Sequence, residues 1–84
     1  MLHELKSMPH SFVHIVSMRK PFDVRKEDDR IFCVGDELLL REFVPKGDFE
    51  ADEEEYYTGA ICHRVITYIL KISEEHVVLG LARK

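Results

Sequence analysis

KPFDVRKEDDRIFCVGDELLLREF, residues 20–43, contains the two strand signals around which the fold can be read. Phe22-Asp23-Val24-Arg25 alternates apolar and charged side chains, the pattern of a strand buried on one face. That alternation predicts Phe22 and Val24 pointing inward, with Asp23 and Arg25 on the other side. Residues 26–33 are polar and predict a loop with Ile31 or Phe32 tucked beneath it. Gly35-Asp36 is a turn signal. Glu37 to Val44 then reads as a second strand, with Leu38 and Leu40 on one face and Leu39, Arg41 and Phe43 on the other. Lys20, Asp23, Arg25, Lys26 and Arg30 therefore stand directly before the most apolar strand of the chain.

Upstream, HELK at 3–6 predicts a short strand, with Leu2 and Leu5 supplying apolar contacts. Pro9 suits the first turn of a helix, where a missing N–H costs nothing. Met8, Phe12, Ile15 and Val16 follow at helical spacing and are expected to face the core. Pro21 biases its predecessor towards extended backbone, so the helix is expected to end near Met18-Arg19. Downstream, Pro45 to Tyr57 reads as a loop. Thr58 to Ile72 is rich in β-branched and aromatic residues and predicts a long strand. Its Val65–Leu70 segment is apolar on nearly both faces, which predicts a central position covered on each side. Val77 to Leu81 closes the chain as a last strand. The expected order is β-α-β-β-β-β, an α+β domain in which a small curved sheet or barrel is plugged by one helix.

With 84 residues the chain is expected to be a single domain, 1–84. Hydrophobic residues at 45% and charged residues at 33% are a globular composition. No apolar run approaches the roughly 20 residues of a membrane span, so no membrane partner is expected. MLHELKSMPH lacks the basic-then-apolar layout of a secretory signal. Cys33 and Cys62 form no CxxC pair and read as small buried residues of a reducing compartment, which points to the cytoplasm. The net charge is −4, but DFEADEEE at 48–55 holds six acids and no base, so the rest of the chain is mildly basic. That balance permits an anionic partner.

Among candidate binding residues, Arg25, Lys26 and Arg30 can contact phosphates, and arginine adds planar stacking or bidentate hydrogen bonding. Asp23 can orient Arg25 or accept from a base edge. The plain alternative is an exposed ion-pair strip of little energetic weight. Arg41 shares a face with Leu39 and Phe43, so its guanidinium must find a partner or reach a cavity; Glu42 or Asp36 would serve as the ordinary partner. Tyr57 and Tyr68 are stacking surfaces or rim packing. His10 and His14 lie four apart, a spacing that suits a metal, but no further ligands accompany them, so no metal and no cofactor is expected.

Several segments together carry a family resemblance: HELK, the 20–43 stretch, YTG at 57–59, VITYIL at 65–70 and VVLGL at 77–81. The chain resembles a small PUA-like domain of the ASCH superfamily, in its bacterial and phage branch. The ASCH signature is Gly-x-Lys-x-x-Glu-x-Arg at the helix-to-strand junction. Lys20 and Arg25 match its Lys and Arg, Asp23 stands where Glu is usual, and Met18 replaces the glycine. A turn at Met18 would then be made without the residue that most easily adopts positive φ. The resemblance implies a PUA-like barrel with a cleft beside the helix that binds RNA or a nucleotide. It also places His3 near that cleft, although a buried imidazole with a backbone partner is the plainer reading.

The sequence thus supports a cytoplasmic binding module reading RNA or a nucleotide through Lys20, Asp23, Arg25 and Arg41, with His3, Lys26, Arg30 and Tyr57 as further candidates. A second class is a hydrolase. Some relatives cleave the acetyl amide of acetylated cytidine with a Lys, a Thr and a Glu. Lys20 matches the Lys, but Asp23 falls in the Thr place, so that hydroxyl is missing; Lys20 and Asp23 are the only catalytic candidates. A third is a phage-type protein-interaction module, with the acidic run as bait for a basic partner.

Overall fold

The computed structural model describes residues 1–27, 30–47 and 54–84. Its elements are β1 (Leu2–Ser7), α1 (Pro9–Val16), β2 (Phe22–Lys26), β3 (Glu37–Val44), β4 (Tyr56–Lys71) and β5 (His76–Arg83), in the expected order. The five strands form one mixed sheet, β1-β3-β4-β5-β2, curled into a half-barrel. Among the described strands only β1 and β3 run parallel; their connection passes through α1 and β2. Among the described residues no helix is long and apolar enough to cross a membrane.

Leu38 and Leu40 of β3, Ile66 of β4, and Val77, Leu79 and Leu81 of β5 line the concave face, and Phe12 and Ile15 of α1 seal it. Each such side chain contributes about 1.5–3 kcal/mol on burial, and this cluster supplies most of the stability. Phe32 joins it from the loop while Ile31 stays exposed, which settles the choice between the two. Pro9 begins α1 as expected. At the other end Met18 N–H donates to Ile15 O at 3.1 Å and Lys20 N–H to His14 O at 3.0 Å. Met18 adopts φ +65°, so the turn keeps a left-handed residue even without glycine. Arg64, buried on the inner face of β4, reaches across to donate to Ile15 O at 3.3 Å and to Met18 Sδ at 3.6 Å.

The structure corrects several facings. Phe22 and Val24 are exposed while Asp23 is buried, the reverse of the expected orientation of β2. The alternation was real, but period 2 does not say which face is inward. Met8 and Val16 are also exposed, because a helix of two turns lying over one sheet covers only Phe12 and Ile15. Leu2 is exposed as well; Leu5 alone of that pair packs on the core. β4 is central, yet Ile61, Tyr68 and Leu70 remain bare, because nothing described packs on the convex side. Its inward parity runs Cys62, Arg64, Ile66 and then shifts to Ile69, because a register shift between Ile66 and Tyr68 adds a residue against β5. Gly80 faces that shift; a Cβ there would lie 3.1 Å from Tyr68 Cβ.

Candidate functional site

The reversal of β2 turns charged side chains onto the concave surface. Asp23 pairs in register with Leu79 and Arg25 with Val77, so both project beside core residues of β5 at the open end of the half-barrel. Asp23 is only 5% exposed. Its Oδ2 accepts from Arg25 Nε at 2.7 Å, and its Oδ1 from the Val24 N–H at 3.1 Å. Lys20 Nζ lies 4.0 Å from Oδ1 and donates to Ser11 Oγ on α1 at 3.0 Å. The same ammonium stands 5.6 Å above the Phe22 ring. A buried carboxylate flanked by two cations is held by charge-assisted hydrogen bonds, which fix geometry as well as charge. The turn at Met18 delivers Lys20 to this point, and strand pairing delivers Asp23 and Arg25.

Beside this cluster lies a hollow of about 170 Å³ between the end of β1, the start of α1 and β2. Asp23 and Arg25 form one wall; Lys6, Ser7, His10 and Ser11 form the other. Ser7 is 3% exposed, yet its Oγ has no hydrogen-bond partner among the described residues. Sequence reasoning passed over Ser7. The signal was available in the period of HELKS, where His3, Leu5 and Ser7 share one face of β1.

A second hollow, about 350 Å³, opens where β1 meets β3 and is bordered by Glu4, Lys6, Arg30, Arg41 and Tyr57. Arg41 pairs in register with Lys6. Its guanidinium stacks 4.0 Å over the Tyr57 ring, in place of an ion pair with Glu42 or Asp36. Tyr57 meets Phe43 edge-on at 5.0 Å, and Lys6 Nζ lies 4.4 Å over the Phe43 ring. The four positions expected around one concavity thus divide. Lys20, Asp23 and Arg25 come together, Arg41 lies in the neighbouring hollow with Arg30 and Tyr57, and Lys6 borders both.

The remaining candidates sit elsewhere. His3 is buried, with Nε2 2.9 Å from Asp36 Oδ2 and its ring 4.8 Å from Phe32. An ionised carboxylate only accepts, so His3 donates. That hydrogen bond, helped by the Cys33 N–H and the terminal amino group and opposed by desolvation, holds the Asp36 carboxyl down at about 2. This pair staples β1 to the turn before β3 and lines neither hollow. Lys26 pairs with Glu75 at 3.6 Å at the far end of β2. His10 and His14 are exposed on α1, and no group of three metal-ligating side chains forms among the described residues. Tyr68 lies on the convex face, away from both hollows. Of the acidic run, residues 48–53 lie outside the described residues.

Residues 2–81 match the family model described as a domain of unknown function, DUF3850. The chain belongs to the DUF3850 family. No curated protein matches it. The matched span of this DUF3850 domain contains every residue of both hollows. Chemically, the first hollow offers hydroxyl, ammonium and guanidinium donors around a carboxylate that is already engaged, and the second offers a stacked cation and ring.

Proposed function

We propose that this DUF3850 domain is a small PUA-like module of the ASCH type that binds RNA or a nucleotide at the mouth of its half-barrel. The observation that carries the reading is the inward-facing charged edge of β2. A strand that buries Asp23 while leaving Phe22 and Val24 in solvent forgoes apolar burial, and such an exception to ordinary patterning is expected where a site is built. Lys20 and Arg25 supply contacts to phosphate, and the Arg41–Tyr57 stack supplies a planar platform for a base.

The test is fluorescence anisotropy with a labelled single-stranded RNA at two salt concentrations. Two phosphate contacts, from Lys20 and Arg25, predict an affinity loss of roughly 7-fold between about 50 and 200 mM salt. Lys20→Ala and Arg25→Ala should each weaken binding at low salt. Absence of binding to RNA, DNA and free nucleotides at low salt would refute the proposal.

A second reading, hydrolysis of the acetyl amide of acetylated cytidine, is favoured by one contact. Ser11 Oγ lies 3.0 Å from Lys20 Nζ and supplies, from the helix, a hydroxyl beside the lysine that position 23 does not. Water would then cleave the amide to acetate and cytidine. Acetate release that is lost in Ser11→Ala and Lys20→Ala would support it; no turnover by the unaltered protein would dispose of it.

A further inference from the structure

The hollow beside β2 is chemically one-sided. Among the described residues Asp23 is its only acidic side chain, and both of its oxygens are engaged, Oδ2 by Arg25 Nε and Oδ1 by the Val24 N–H with Lys20 close by. Ser7, Ser11 and Arg25 contribute donors, and Lys6 stands at the border. Ser11 Oγ accepts from Lys20, which leaves its own O–H to be donated elsewhere. Arg25 spends its Nε on Asp23, and its two terminal nitrogens bond to no described residue. A guanidinium held side-on by a carboxylate presents that terminal pair as a fixed fork, the geometry that suits two oxygens of one oxyanion.

Ser7 adds an independent observation. The residue lines this hollow, and its hydroxyl is buried and lacks a partner among the described residues. Leaving a buried hydroxyl unpaired is costly, and native structures do so rarely and for a reason. A ligand atom in the hollow would complete it.

We infer that this hollow is an oxyanion seat in which Ser7 Oγ and the terminal nitrogens of Arg25 grip a phosphoryl group. The inference rests on the nucleotide reading above and assigns its parts: phosphate beside β2, with the stacked Arg41–Tyr57 pair left for the rest of the ligand. Among the described residues two cations, Lys20 and Arg25, attend the one carboxylate while Lys6 borders the hollow, so the seat is net positive and favours an anionic group over a neutral base edge. The phosphoryl group can be a terminal monoester or a link in a chain; the seat's chemistry is common to both.

Calorimetric titration with sodium phosphate, uridine 5′-monophosphate, uridine and a short oligoribonucleotide lacking terminal phosphates tests this directly. Phosphate and the monophosphate should bind, and uridine should bind at least about 10-fold more weakly, because a hydrogen bond to a charged group is worth that factor or more. Ser7→Ala should lower monophosphate affinity about 10-fold without lowering the melting temperature, since it deletes a hydroxyl with no internal partner. Arg25→Lys keeps the charge but loses the fork, and should cost a similar factor; Tyr68→Ala, on the convex face, should leave inorganic phosphate binding unchanged. Strong binding of the oligoribonucleotide would identify the chain phosphate as the source, and preference for the monophosphate the terminal one. Equal binding of uridine and its monophosphate, or phosphate affinity unaltered in Ser7→Ala, would overturn the seat while leaving nucleotide binding intact. Binding of inorganic phosphate with no binding of RNA or nucleotide would keep the seat and overturn the nucleic-acid reading. Binding of none of the four probes overturns both.

Discussion

Met18 is a test of backbone strain separated from side-chain packing. It sits at φ +65°, where a Cβ crowds the carbonyl that follows and costs about 1–2 kcal/mol. Replacing it with glycine removes that strain but loosens the unfolded chain by about 0.4–1 kcal/mol. The side chain also has work to lose, because Sδ accepts from Arg64 at 3.6 Å and the residue is half-buried. Alanine and glycine both discard that contact, so the difference between them isolates the backbone term. Met18→Gly should therefore exceed Met18→Ala in stability by about 0.5–1 kcal/mol, or roughly 3–6 °C in melting temperature for a domain of this size. Urea unfolding of the two variants at one pH gives the number from the midpoint shift at constant slope. Equal stabilities, or Met18→Ala the more stable, would refute the positive-φ turn and with it the placement of Lys20 beside Asp23.

Three further outcomes follow from the same structure. Asp36 loses its proton at a lower pH folded than unfolded, so its stabilisation is complete above about pH 4 and is lost as the pH falls towards about 2; Asp36→Asn should flatten the acid limb of stability against pH, and an unchanged limb would count against the His3 staple. Burial raises the Cys62 thiol despite the pull of Arg64 and Arg83, while Cys33 is exposed; native protein should therefore show one fast thiol in a colorimetric assay and the second only on unfolding, and two fast thiols would contradict the closed inner face. Asp23→Asn removes the charge that balances Arg25 and Lys20 inside the mouth and should cost about 1–3 kcal/mol, read by chemical denaturation; a loss below about 0.5 kcal/mol would show the pair to be an ordinary surface strip.

Much of the scaffold was legible before the structure. The leucine alternation of 37–44 marked the wall of the sheet, Pro9 marked the helix start, and the element order came out as read. The special turn at Met18 was legible too, because position 18 stood where a glycine was expected and the backbone there is left-handed. The site was legible only as a set of residues. Lys20, Asp23 and Arg25 were visible as charges at close spacing, but Ser7, Ser11 and Lys6 lie on other elements and meet them only through folding.

Sequence by itself determined which residues alternate and where the chain turns, because propensity and period are local properties. Tertiary structure alone decided which side of the alternation faces in. β2 pairs with β5 on the sheet's outer edge, where the half-barrel is open and the helix end brings Ser11 and Lys20, so its charged side finds partners inside and its apolar side is left to solvent. The same holds for β4, where one extra residue between Ile66 and Tyr68 reverses the facing of everything after it. Facing is a property of the assembled sheet, since it depends on what each strand is paired with and what lies across from it.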